Sequence, residues 1–301
     1  MLLFKPITIK DKEAITAYTY PGNFINCDFA FSNMCSWRFL YDSEFAIADD
    51  FLFVRFYIHR NNTKHQIYML PTGSGDLKKA IKKIEQDAEE NNQPLCISSI
   101  TPDGKNKLES LFPDEFVFTA NRNSFDYVYL REDLRALKGK KYQPKRNHIN
   151  KFQKNHPFIY LPITPDMVPE CLALEYKWYQ THRTREEADS LIFENRSMEY
   201  ALNHFTELGL SGGAIKVDNE IIAFTYGSPI NQYTFGVHVE KADIRFDGIF
   251  SVINREFIAR LPEQYLYINR EEDLGIPGLR QAKLSYQPAI ILEKHTAMRR
   301  G

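Results

Sequence analysis

The chain has 301 residues, 43% of them hydrophobic, and sets 38 Lys and Arg against 39 Asp and Glu for a net charge of −1. That length fits two ordinary domains or one large one, and the charge balance excludes a protein that coats nucleic acid while permitting a local basic patch. No apolar run approaches the roughly 20 residues that cross a bilayer, and the N-terminus turns polar too early for a secretory signal, so a cytoplasmic location is expected. Four cysteines without C-x-x-C spacing and eight histidines without H-E-x-x-H suggest ordinary buried thiols and no structural metal.

Helical patterns at Asp11–Tyr18 and Met34–Leu40 open the chain. Phe45–Ala48 and Phe51–Ile58 read as strands around an Asp49-Asp50 turn, and Gln66–Leu70 as a third strand ending in Thr72-Gly73-Ser74-Gly75. Asp76 is placed to cap a helix with the apolar stripe Leu77, Ala80, Ile81, Ile84 and Ala88. The strand Leu95–Ile100, a short helix opened by Thr101-Pro102, and a hairpin of Phe116–Ala120 with Phe125–Leu130 complete this half.

The second half repeats the order. A strand at Phe158–Ile163 precedes helices at Met167–His182 and Met198–Leu208. Three strands follow, Ser211–Val217, Glu220–Ser228 and Tyr233–Val239, the first two joined by an Asp218-Asn219 turn. A helix from Phe250 to Leu261, the strand Tyr265–Asn269, a short helix from Pro277 and an extended piece at Ala289–Glu293 end the chain. Two helices, three strands, helix, strand, helix and strands, taken twice, resemble the acetyltransferase-type GNAT fold. The expected class is α+β, with two tandem GNAT-like domains, each a mixed, mostly antiparallel sheet flanked by helices. The expected boundaries are 1–134 and 157–301, joined by a basic linker or helix at 135–156.

Four places could carry chemistry. GNAT enzymes hold the coenzyme A pyrophosphate on an [Arg/Gln]-x-x-Gly-x-[Gly/Ala] turn opening a helix. Arg245 and Gly248 match that turn, but Phe250 stands where a small residue belongs, and an ordinary strand-to-helix turn explains the same residues. The Gly73-Ser74-Gly75 loop of the first half lacks the Arg and reads as structural. The stretch Arg135–Lys154 holds eight Lys or Arg and no acid. Tyr142, His148 and Phe152 are interleaved there, as on surfaces that stack bases, and Lys145, Arg146, Asn147 and Asn150 are its candidate polyanion contacts; a solvated linker is the plainer alternative.

The third place is Asn269-Arg270-Glu271-Glu272-Asp273 with Arg280, Lys283 and Tyr286, a polar turn leaving a strand edge where open sheets commonly hold ligands. A salt-bridged helix start would also place acids there, and adjacent acids rarely converge on one cation. The fourth is His238 and Glu240, which strict alternation puts on one face of their strand, within reach of work as a general base.

The run Tyr129-Leu-x-x-x-Leu134 through Lys145-Arg146-Asn147-x-x-Asn150-x-Phe152 resembles a block of bacterial proteins related to the C-terminal domain of lysyl-phosphatidylglycerol synthases. His238-x-Glu240-Lys-Ala-Asp resembles a second block, and Asn269-Arg-Glu-Glu-Asp-Leu-Gly-Ile-Pro-Gly-Leu-Arg-x-x-Lys283-x-Ser-Tyr286-x-Pro288 a third. The resemblance spans essentially the whole chain. It groups the chain by fold with those synthases and with Fem-type peptidoglycan branching enzymes, tandem GNAT proteins that take amino acids from charged tRNA. It implies the tandem GNAT fold and an acyl or aminoacyl transfer. The donor is then aminoacyl-tRNA, or less favoured acyl-coenzyme A, and the acceptor an amine or hydroxyl of a small molecule, a peptidoglycan precursor or a lipid headgroup. The synthases carry a membrane-embedded portion without counterpart in these residues, which weighs against a phospholipid.

On this reading Glu240 or His238 is the base, and Arg270, Arg280 and Lys283 stabilise the oxyanion and bind donor phosphate or acceptor carboxylate. Asn269, Glu271, Glu272 and Asp273 complete the substrate contacts, and Tyr286 protonates the leaving atom. Two alternatives stay open: an ordinary acyl-coenzyme A N-acyltransferase, and a non-catalytic module binding a ligand or partner on the same fold.

Overall fold

The computed structural model describes residues 2–60, 63–182 and 188–300. The first half contains β1 (Lys5–Pro6), α1 (Lys12–Thr19), α2 (Phe31–Ser36), α3 (Arg38–Tyr41), β2 (Glu44–Ala48), β3 (Phe51–Arg60), β4 (Thr63–Met69) and β5 (Thr72–Gly73). It continues through α4 (Leu77–Glu90), β6 (Cys96–Ile100), α5 (Pro102–Leu111), β7 (Phe116–Ala120) and β8 (Asp126–Leu130). Helices α6 (Arg131–Ala136) and α7 (Gln143–Asn155) lead into β9 (Ile159–Pro162), α8 (Val168–His182), α9 (Ala188–Asn203) and α10 (Phe205–Leu208). Then come β10 (Ser211–Val217), β11 (Glu220–Pro229), β12 (Thr234–Ala242), α11 (Ile249–Arg260), β13 (Tyr267–Asn269), α12 (Pro277–Leu284), β14 (Ile290–Leu292) and β15 (His295–Arg299).

Local chemistry accounts for many of the joints. Asp49 and Asp50 both take positive φ, as do Asp218 and Asn219, the left-handed pair that tight hairpin turns demand and that Asp and Asn tolerate. Asp76 accepts a hydrogen bond from the Lys79 amide, capping α4, whose Ala80, Ile81, Ile84 and Ala88 are buried. Thr101 likewise caps α5, with Pro102 in its first turn. The Gly73 loop is tied down as β5 against Phe51 and Leu52, consistent with a structural role.

The strands form two sheets, in the orders β1-β2-β3-β4-β6-β15-β7 and β14-β8-β13-β12-β11-β10-β9. Each sheet therefore borrows a strand from the other half of the chain. β15 runs between β6 and β7 of the first sheet, and β8 runs between β13 and β14 of the second, two equivalent slots. The expected hairpin of Phe116–Ala120 with Phe125–Leu130 is thus incorrect: β7 and β8 lie in different sheets. The physical reason lies in burial. Asp126, Tyr127, Val128 and Tyr129 are all within 1% of full burial, as suits a strand inside a sheet, whereas Val117 of β7 is 45% exposed. The sheets consequently do not part at 134 and 157, since β8 belongs with the second.

The exchange is locked by ions. Lys294, just before β15, places Nζ 2.8 Å from Oδ1 of Asp126, the first residue of β8. Asp28 and Glu272 stand 3.1 and 3.5 Å from the same ammonium. In the second sheet α11 covers one face, with Ile215, Ile222, Phe235, Val237, Val252 and Phe257 in one core. Helices α2, α8 and α9 cover the other face, where Phe31, Cys171, Met198, Phe224 and Tyr226 pack.

Candidate functional site

The parallel strands β12 and β13 pair over three positions only, Thr234 with Tyr267, Phe235 with Ile268 and Gly236 with Asn269. β12 then runs on to Ala242 without this neighbour, and the chain after Asn269 turns aside through Glu271, Leu274 and Gly275, all at positive φ. The sheet opens here into a gap bordered by main-chain groups of β12. A bulge adds to this: Tyr226 faces Val239 and Gly227 faces Val237, so His238 is an extra residue without a partner across β11.

The bulge shifts the alternation of β12 by one residue. Phe235, Val237 and Ala242 face α11 with Glu240, while His238, Val239 and Lys241 face the other side. His238 and Glu240 therefore do not share a face, contrary to strict alternation. On the α2 side, His238 Nδ1 lies 2.8 Å from Glu271 Oε1, and Asn33 Nδ2 donates to the same oxygen at 2.8 Å. The other ring nitrogen, Nε2, is 2.9 Å from Ser32 Oγ and 2.8 Å from Ser228 Oγ, and the two hydroxyls are 2.7 Å apart.

On the α11 side, Glu240 is held at 3.0 Å by Arg270 Nη2 and at 3.2 Å by Asn254 Nδ2. Arg270 lies over the Tyr286 ring at 4.9 Å, and Lys145 of α7 lies over the same ring at 4.0 Å. Two cations thus share one ring, and Arg270 alone of the two pairs directly with Glu240. Burial, together with the Arg270 charge, brings Lys145 down to about 8. Burial also raises the Tyr286 phenol, whose Oη contacts Ser251 Oγ at 3.3 Å. Arg270 Nη1 and Asn254 Oδ1 are buried without a hydrogen-bond partner. An unpaired buried donor and acceptor bracketing one carboxylate mark a place that a ligand can complete.

The three consecutive acids diverge. Glu271 goes to His238, Glu272 to Lys294, and Asp273 to Arg280 at 2.8 Å and Tyr127 at 2.5 Å, with the Gly275 amide as well. Arg280 and its partners hold the Asp273 carboxyl well below the usual range, and Arg280 also reaches Asn123, so this pair secures the turn. Lys283 donates to the main-chain carbonyls of Arg270 and Glu272 and fixes the path of the turn from beneath. Asn269 is fully buried and binds Asp126, the Ile25 carbonyl and the Glu271 amide. Cys27, Asp126 and Glu272 bring donor atoms within 4.8 Å of one another, but the Lys294 ammonium sits among them and supplies the positive charge.

The basic segment takes a different role from the one expected. Tyr142 and Phe152 are buried at 0% and 1% and cannot stack bases. Arg146 donates to the carbonyls of Leu137 and Gly139 and to Gln143, closing the C-terminal end of α6. Asn147 accepts from Gln143, Asn150 is exposed, and only Lys145 joins the site. At the start of α11, Arg245 folds back onto Asp243, and Gly248 sits at φ 88° where a Cβ would stand 2.6 Å from the His148 carbonyl. That glycine permits α7 to approach the start of α11 closely, while Arg245 and Asp247 of the same turn stay exposed. Ser32, Asn33, Ser228, Ser251 and Asn254 were missed from sequence, because contacts across as many as 238 positions leave no local spacing to read. A surface hollow of about 530 Å³ over α12, lined by Pro277, Arg280, Gln281 and Leu284 among others, includes neither cluster.

The family described as phosphatidylglycerol lysyltransferase, C-terminal, matches residues 23–298. The chain belongs to that family. Within this lysyltransferase family fold, a conserved Bacteroides thetaiotaomicron protein of unknown function is 50% identical, with a TM-score of 0.96 over 100% of both chains. The C-terminal domain of a lysylphosphatidylglycerol synthetase from Agrobacterium fabrum is 14% identical, with a TM-score of 0.66 over 97% of this chain and 92% of that one. A tandem GNAT protein of the clavulanic acid pathway is 9% identical, with a TM-score of 0.50 over 99% and 98%. At those last two identities the likeness is one of fold, and the fold is two tandem GNAT-like domains. An uncharacterized Mycoplasmoides gallisepticum protein is 24% identical over 207 residues, and the matched region spans 65% of that relative's length against 68% of this chain.

Proposed function

We propose that this family member transfers an activated carboxyl group to an amine or hydroxyl at the gap between β12 and β13, taking it from aminoacyl-tRNA in preference to acyl-coenzyme A. One observation carries the reading: a histidine backed by a carboxylate and an arginine–lysine pair border the same opening of the sheet. Membership of a lysyltransferase family supports an aminoacyl group as the cargo.

The residues divide the work by chemistry. His238 accepts a proton at Nε2 while Glu271 at Nδ1 steadies the imidazolium. Arg270 Nη1 and Lys145 hold an anion, a donor phosphate or an acceptor carboxylate, and Glu240 keeps the guanidinium in place. Main-chain groups of β12 beyond Gly236 face the gap, where they can pair an extended ligand or receive a developing oxyanion. Tyr286, kept protonated by burial, serves as a proton donor to the leaving oxygen. The close approach of His148 to Gly248, and Phe250 in place of a small residue, weigh against coenzyme A. Acceptors of all three chemical kinds remain within the proposal; among the described residues no helix is long and apolar enough to cross a membrane.

The test is to follow ester loss from bulk tRNA charged with the full set of amino acids, beside turnover of acetyl-coenzyme A. Protein-dependent ester loss with an inert thioester supports the reading. Turnover of the thioester with inert aminoacyl-tRNA replaces it with the N-acyltransferase.

A further inference from the structure

The His238 side of the gap holds more than a base. Its ring bonds a carboxylate through one nitrogen and contacts two hydroxyls through the other, the arrangement by which a base activates an oxygen nucleophile and is itself oriented by a third group. With the Nδ1 proton given to Glu271, Nε2 has a single lone pair to share. One serine can donate to it, and the other, 2.7 Å from the first, is then free to donate to the first serine's oxygen. The hydroxyls form a relay in which deprotonation of one is supported by a hydrogen bond from the other.

We infer that Ser32 is a nucleophile that takes the acyl group covalently from activated esters, with His238 as its base, Glu271 as the orienting acid and Ser228 as the donor to the Ser32 oxygen. Ser32 is assigned the attack because it hangs over the sheet from α2, whereas Ser228 leaves β11, on the far side of β12 from the gap. The Ser32 oxygen bonds to the acyl carbon as its proton passes to His238 Nε2. Collapse of the tetrahedral adduct breaks the bond to the leaving alcohol, which takes that proton from His238; in this covalent route His238 fills the place that a direct transfer gives to Tyr286. An acyl-serine remains, and the acceptor amine attacks it in the same way, restoring Ser32. Both hydroxyl residues are only 3% exposed, so the ester they would hold is shielded from bulk water.

The inference deepens the proposed transfer but is tested without tRNA. The full chain is incubated with a fluorophosphonate, which forms an Oγ–P bond, releases fluoride and passes the serine proton to His238. The expected result is one adduct by intact mass, mapped to the peptide carrying Ser32. Ser32→Ala abolishes it, Ser228→Ala retains it at a lower rate, and His238→Gln slows it by roughly 100-fold or more. Melting curves confirm that each variant is folded, and Ser32→Cys, which keeps a nucleophile in place, regains labelling with p-nitrophenyl acetate. Wild-type protein that takes no adduct, or Ser32→Ala that labels as fast as wild type, overturns the assignment. Labelling without aminoacyl transfer would leave Ser32 assigned and remove the tRNA reading; transfer without labelling would do the reverse.

Discussion

His238 and Glu240 stand two residues apart on β12 and point to opposite faces of the sheet, each meeting a residue of the same turn, Glu271 in one case and Arg270 in the other. The bulge makes this possible, and it places the proposed proton acceptor and the proposed anion-binding groups on opposite faces of a single strand. Substitutions at the two positions should therefore fail in different ways.

Glu240 is mainly a counter-ion. Glu240→Ala strands a largely buried Arg270 and is expected to cost roughly 3–5 kcal/mol, and Glu240→Gln, which keeps one acceptor oxygen but removes the charge, is expected to cost nearly as much. Urea unfolding of the two variants measures both losses. A Glu240→Gln variant as stable as wild type would show that the charge of Glu240 is irrelevant to Arg270.

Lys145 carries a pH signature. Its ammonium titrates at about 8 in the folded chain, below the ordinary 10.5, because of burial and the Arg270 charge. Between those values the unfolded chain binds more protons, so this group makes the protein more stable as pH rises from about 8 to 10.5. Anion binding runs the other way and weakens above about pH 8 as the ammonium is lost. Lys145→Met should flatten both trends, measured by thermal melting and by calorimetric titration with inorganic phosphate.

The ion cluster at the crossing of the exchanged strands predicts a large structural penalty. Lys294→Met leaves the fully buried Asp126 without a cation and should cost roughly 3–5 kcal/mol. Hydrogen exchange should then show β8 and β15 losing protection together, because the ammonium spans the starts of both.

Gly248 separates two meanings of a short motif. If it exists to admit α7, Gly248→Ala forces a side chain into positive φ and against the His148 carbonyl, a strain of about 1–3 kcal/mol. Melting should fall while calorimetry finds no coenzyme A binding by either protein. Tight binding by wild type, lost in the variant, would restore the phosphate role.

Element order was largely legible because it rests on local signals. The Asp49-Asp50 and Asp218-Asn219 turns, the Asp76 and Thr101 caps and the stripe of α4 each follow from neighbouring residues. The strand exchange was not, since Phe116–Ala120 and Asp126–Leu130 have the spacing of a hairpin and only the partner of Asp126, 168 positions away, reveals otherwise. At the site, Arg270, Glu271, His238 and Glu240 were legible as polar residues at strand ends. Their grouping was not, because one bulged residue reverses every side chain beyond it. In the basic segment composition does not tell the packed residues from the exposed ones: Tyr142, Phe152 and Arg146 hold α6 and α7 in place, Lys145 turns in over Tyr286, and most of the other charges stay exposed.

The most direct measurement compares the rate of aminoacyl-ester loss for His238→Ala and Glu240→Gln, with melting temperatures to confirm folding. His238→Ala should lose roughly 100-fold or more of the rate, as removal of a general base does. Glu240→Gln should chiefly raise the donor concentration needed for half-maximal rate. A His238→Ala variant that is folded and as fast as wild type would contradict the assignment of the β12–β13 gap as the place of transfer.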